Sequence, residues 1–202
     1  MKPFPRRMTT KELIYHAICR IEEQHNLPEI DDWIGDGGTS LARRSSLGSR
    51  PPPPSNPWAM RLALNAASEP RQPVGYFCLG ESDVDFALRL LSIQSAVPLE
   101  GMLGGIITEA NFPKLTGAAG KLARSTLFIR DRMEVLDMGV EAAALQLIIE
   151  HDLELLIVDP LEGLLDPSTV AAEESLSEAA APLIRLARTT EVPLLIVSRR
   201  RW

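Results

Sequence analysis

The chain has 202 residues, 45% of them hydrophobic and 24% charged, which fits one globular domain with a core of its own. A net charge of −6 excludes a broad electrostatic grip on nucleic acid and leaves weak or indirect DNA contact through a local basic cluster. Cys19 and Cys78 are too few for a disulfide framework, and no run approaches the roughly 18 uncharged apolar residues of a membrane span. The start, MKPFPRR, is basic but has no apolar stretch behind it, unlike a secretory signal. The expected setting is the cytoplasm, with no membrane contact.

Residues 1–25 hold the first element. Thr9–Gln24 reads as a helix, with Thr9 and Glu12 spaced as a capping box and Leu13, Ile14, Ala17, Ile18 and Ile21 on one face. That stripe must be buried, either on the chain's own domain or on a partner. Residues 26–57 change character: "IDDWIGDGGTSLARRSSLGSRPPPPSNP" is rich in Gly, Ser, Pro and Arg and carries no apolar period. The segment reads as a loop, and the proline run as a stiff polyproline II spacer. Within it Gly35–Pro57 is expected to be mobile, without a strand at Ser40–Leu47, where Arg43, Arg44, Ser45 and Ser46 would bury charge on both faces of a sheet.

Residues 58–202 are regular. Helices are expected at Trp58–Ala67, Asp83–Gln94, Asn111–Arg124, Gly139–His151 and Ser175–Thr190. Strands are expected at Pro73–Leu79, Thr126–Arg130, Leu153–Val158 and Pro193–Ser198. Apolar strands alternating with helices specify an α/β fold: three layers around a mainly parallel sheet.

Ligands of such sheets bind beyond the carboxyl ends of the strands, here "YFCLGES", "LLIVDPLEGL" and "LLIVSRRRW". Asp159 ends an apolar strand, as a Walker B carboxylate holding Mg²⁺ through water would, but many such strands end in Asp as a turn former or cap. His16, His25 and His151 have no metal-ligand grouping and read as surface or helix-end residues. Arg199–Arg201 and Trp202 read as a solvated tail.

The order of these pieces resembles the C-terminal, RecA-like ATPase domain of the DnaB-type replicative DNA helicases. "VGYFCLGESDVDFALRLLSIQSAVPLEGMLGG" resembles that family's strand ending in Leu-Glu-Met and the helix after it. "NFPKLTGAAGKLARSTLFIRD", "IIEHDLELLIVDPLEGL" and "LIRLARTTEVPLLIVSR" resemble the next helix and strand, the Walker B strand, and the helix and strand leading to a Ser-Gln pair. "LPEIDDWIG" resembles the lead-in to the domain, and Thr9–Gln24 takes the place of a linker helix that docks on a neighbouring subunit of the hexamer. The collinear series carries the resemblance, not any single motif. It implies a RecA-like domain with a separate N-terminal helix. It also implies a domain incomplete at its C-terminal side, since the family continues with further strands, DNA-contacting loops and an arginine finger.

The family's Arg-Pro-Ser-Met-Gly-Lys-Thr-Thr-Phe-Ala aligns with Arg50 to Ala59. Pro54 stands for the P-loop glycine, Ser55 for the lysine and Asn56 for the Mg²⁺-binding hydroxyl. A P-loop works through successive backbone N–H groups and a lysine charge. Pro51 to Pro54 and Pro57 have no N–H, and Arg43, Arg44 and Arg50 offer charge without a cradle. Gly80 stands where the catalytic glutamate belongs; Glu81, one step on, is expected to point elsewhere unless the loop shifts the register by one. Arg199 replaces the glutamine after Ser198. Asp159 alone survives, expected to cap or turn the chain after its strand.

The expectation is therefore a non-hydrolysing DnaB-like domain that works as an interaction module in DNA replication and uses no cofactor. Its partner would be a RecA-like helicase subunit or a second copy, bound through Leu13, Ile14, Ile18 and Ile21. The alternative is an ATP-binding helicase subunit with an altered or shared site, with Ser55 and Asn56 at the nucleotide, Mg²⁺ at Asp159 and Glu81 as the catalytic candidate.

Overall fold

A computed structural model describes residues 55–68, 72–165 and 173–198. The helix expected at Thr9–Gln24, the 26–54 segment and residues 199–202 lie outside the described residues. Four strands form one parallel sheet: β1 (Val74–Cys78), β2 (Leu127–Asp131), β3 (Leu155–Asp159) and β4 (Leu194–Ile196), in the order β2-β1-β3-β4. The register aligns Cys78 with both Asp131 and Asp159, so three strands end at one level. β4 is shorter than the expected Pro193–Ser198, although bonds at Pro193 O and Val197 N carry its pairing one residue further each way.

The helices divide between the two faces. α1 (Pro57–Ala67), α2 (Asp83–Ser95) and α4 (Phe112–Leu122) bury Met60, Leu64, Phe86, Leu90 and Leu122 against Val74, Tyr76, Leu127, Ile129 and Ile157. On the other face α6 (Val140–His151) and α7 (Glu173–Thr190) bring Ala144, Leu147, Leu176 and Leu183 onto Phe77, Leu156 and Val158. The β1-to-β2 connection moves one way across the sheet on the first face. The β2-to-β3 connection moves back on the second, so both crossovers keep one hand. The α/β, three-layer expectation holds, with element ends within a few residues of the sequence reading.

Four short helical elements among the described residues carry no readable period: α3 (Leu99–Leu103), a 3-10 turn at Glu109–Asn111, α5 (Arg132–Met138), and a 3-10 turn at Leu161–Leu164 behind β3. That turn passes so close to the end of β1 that a Cβ on Gly163 would lie 2.4 Å from Leu79 Cβ and 2.5 Å from its carbonyl oxygen. Only glycine permits the approach, which presses the β3 tip onto the β1 tip.

Candidate functional site at the strand tips

The chain leaves the proline run at Ser55 and enters α1 over the carboxyl ends of β1 and β3. Asn56 is the N-cap: its Oδ1 accepts the Trp58 N–H at 2.9 Å, and Pro57 takes the first helical position, where a missing N–H costs nothing. The sequence from Pro51 to Pro57 contains five prolines, so Ser55 and Asn56 supply its only two backbone donors. Both go to carboxylates. Ser55 N–H donates to Glu81 Oε1 at 3.2 Å, and Asn56 N–H donates to Asp159 Oδ2 at 2.6 Å.

Each carboxylate is anchored in turn. Asp159, 1% exposed, also accepts the Tyr76 hydroxyl on the same oxygen at 2.5 Å. Burial pushes the Tyr76 hydroxyl far above its usual range, and the neighbouring Asp159 charge adds to it, so this group stays a neutral donor. Glu81 lies 3.6 Å from the guanidinium of Arg89, which also donates to the Ser55 carbonyl at 3.0 Å. Burial raises the Glu81 carboxyl above its ordinary range, and Arg89 pulls it partly back. Ser55, itself 1% exposed, rests its hydroxyl 3.8 Å from Cys78 Sγ.

Two expectations are corrected here. Glu81 does not point away: β1 ends at Cys78, and the turn at Gly80 and Glu81 frees the side chain from strand alternation and aims it at Ser55. Asp159 does not cap the chain behind its own strand. The 3-10 turn after Pro160 has no side-chain cap, and the carboxylate reaches across to the start of α1 instead. Thus the structure unites Ser55, Asn56, Glu81 and Asp159, the four site positions read from the sequence.

It adds Tyr76 and Arg89, which that reading missed. A tyrosine inside an apolar strand was a usable signal for a buried hydroxyl partner; Arg89, one arginine on an amphipathic helix, gave none. Ser198 donates to Glu162 Oε1 at 2.8 Å, tying the tip of β4 to the turn behind β3. Among the described residues no cluster of three His, Cys, Asp or Glu could hold a metal ion, and His151 closes α6 stacked on Phe128 at 3.6 Å. No helix among them is long and apolar enough to cross a membrane.

Chemically, the start of α1 is a place where backbone donors meet negative charge, the usual setting for a bound phosphate. Here the negative charge belongs to the chain. A family model, the DnaB-like helicase C-terminal domain, matches residues 38–201. The chain belongs to the DnaB-like helicase C-terminal domain family.

The replicative DNA helicase DnaB of Geobacillus stearothermophilus is 26% identical over 201 residues, covering 94% of this chain and 44% of that protein. The replicative DNA helicase DnaC of Bacillus subtilis is 24% identical over 200 residues, with the same coverage of each. A solved DnaB-like replicative helicase, described with its interactions with primase, superposes with a TM-score of 0.56 at 17% identity. That match covers 72% of this chain and 36% of the helicase, and it shows the shared fold. The chain spans less than half the length of these DnaB relatives.

Proposed function

We propose that this DnaB-like domain does not hydrolyse ATP and serves as an interaction module connected with DNA replication. The observation that carries the reading is the fate of the two backbone donors in the Pro51–Pro57 segment: both are bonded to the chain's own carboxylates. No lysine stands among residues 50–59, and the Arg89 guanidinium is engaged by Glu81 and the Ser55 carbonyl. A triphosphate in the P-loop pose would have to displace both carboxylates with neither a glycine cradle nor a lysine to compensate. The residues at the strand tips therefore do not fit Mg²⁺-ATP. Removing one electrostatic contributor typically lowers a rate by about 10²–10³, and several are missing together. The purified chain should show no ATP turnover above background and no calorimetric binding of Mg²⁺-ATP.

A second reading, an ATP-binding helicase subunit with an altered or shared site, draws on the meeting of Glu81, Asp159 and Arg89 at the start of α1. Turnover that disappears in Asp159→Ala would establish it and sink the first.

The partner we propose is a RecA-like helicase subunit or a second copy of this chain, engaged by the Leu13, Ile14, Ile18 and Ile21 face of the N-terminal helix. Fully burying one such side chain contributes about 1.5–3 kcal/mol before ordering costs, enough in sum for micromolar association. The double change Ile14→Asp, Ile18→Asp should abolish self-association or helicase binding, read by ultracentrifugation or pull-down, with the thermal transition nearly unchanged. An unfolded double variant would mean that the helix packs on its own domain.

A further inference from the structure

The Asp159 carboxylate binds donors that come from two distant parts of the chain, the Asn56 backbone and the Tyr76 side chain. Both bonds converge on Oδ2, at the N-terminus of the eleven-residue helix α1. Glu81 does the same one residue earlier, at the Ser55 N–H. With the Trp58 N–H closed by the Asn56 side chain and Pro57 lacking a donor, no backbone N–H from Ser55 to Trp58 is left for an incoming ligand. We propose that Asp159, seconded by Glu81, is an autoinhibitory plug: an internal anion seated at the start of α1, which keeps that helix ordered without a ligand and shuts out phosphate.

The plug replaces one electrostatic arrangement by another. Helix N-termini are stabilised by a negative group, and a carboxylate bonded to a backbone N–H is a charge-assisted acceptor. An external phosphate brings that charge at the cost of its own immobilisation, whereas Asp159 is already fixed by β3. Because Tyr76 donates to the same oxygen, the carboxylate keeps its aim toward Asn56. A phosphate competing for Asn56 must displace an acceptor that Tyr76 holds in place and settle near a second carboxylate, Glu81. The inference rests on the reading of this site as one without bound nucleotide, and adds the cause of the exclusion.

The test uses the full chain, with inorganic phosphate as the probe. In the unaltered protein Tm should be indifferent to phosphate at constant ionic strength. Asp159→Ala leaves the Asn56 N–H and the Tyr76 hydroxyl without their acceptor. Its Tm should fall by about 4–10 °C and then rise by about 3–5 °C in roughly 10 mM phosphate. A phosphate-dependent Tm in the unaltered chain overturns the proposal, and so does a phosphate-indifferent Asp159→Ala.

Should Asp159→Ala fail to fold, amide hydrogen exchange in Asp159→Asn carries the test. The Asn56 amide should exchange about tenfold faster than in the parent while the Ile157 amide keeps its protection. Equal Asn56 rates in the two proteins would overturn the plug. ATP turnover by the unaltered chain would defeat the functional reading and the plug together. A flat phosphate response in Asp159→Ala without turnover would defeat the plug alone.

Discussion

Midway along the strands, β1 and β3 are held from both sides by apolar side chains: Met60, Phe86 and Leu90 on one face, Ala144, Leu147 and Leu183 on the other. At the tips of the same strands, Ser55 and Asn56 are held by two carboxylates and one guanidinium, and a tyrosine hydroxyl steadies one of the carboxylates. The layers are redundant, since each side chain has many neighbours and no contact depends on direction. The tips have less redundancy, because the Ser55 and Asn56 backbone donors each depend on one directed bond to a single carboxylate. Family resemblance at 24–26% identity is thus compatible with a preserved sheet and a rebuilt tip.

That contrast can be broken in order of effect. Leu147→Ala, in the layer over β3, should cost about 2–5 kcal/mol in denaturant unfolding, because a fully buried side chain leaves a cavity that neighbours fill only in part. A loss below 1 kcal/mol would mean that this layer is not packed as described. Gly163→Ala joins the two regions, since its new methyl meets the Leu79 backbone rather than a flexible side-chain end. It should destabilise by about 1–3 kcal/mol and disturb the β1 tip, visible as amide shifts at Leu79 and Gly80. Tyr76→Phe removes one hydroxyl from the tips and leaves the layer intact, so a loss of about 1 kcal/mol is expected. Pairing it with Asp159→Asn in a double-mutant cycle should give less than the sum of the two losses.

The smallest effect concerns pH. The folded-state Glu81 carboxyl lies above its ordinary value because burial disfavours its charge. The folded chain therefore holds that proton more tightly than the unfolded one. The resulting stability is fully present below the ordinary glutamate range and is lost as pH rises through the raised value. Glu81→Gln, which keeps an acceptor for Ser55 and has no proton to lose, should flatten this part of the Tm–pH curve. An unchanged slope would remove Glu81 from the account.

The sheet and its five long helices are legible in the sequence because apolar spacing reports burial directly. The short elements are not, since three to seven residues complete too few turns to show a period. α5 is the instructive miss. Asp131 and Glu134 have capping-box spacing, and the Asp131 side chain does accept the Glu134 N–H at 2.8 Å. The four site positions were readable from alignment with the family's motifs, but the direction of Glu81 was not. Strand alternation stops at Cys78, and a two-residue turn then aims the carboxylate by backbone geometry that no periodicity encodes. The partnership of Arg89 with Glu81 and Ser55 is likewise a product of tertiary placement.

The parallel register has one more result. It seats Cys78 between Asp131 and Asp159 with no exposed surface, and burial pushes its thiol well above the usual range, with the Glu81 charge adding to the effect. Only the thiolate attacks alkylating reagents, so this sulfur is silent while the sheet is closed. In a Cys19→Ser background, the rate of iodoacetamide capture at Cys78 becomes a stopwatch for the opening of β1. Since the Ser55 hydroxyl rests 3.8 Å away, the same label marks the moment at which Ser55 lets go.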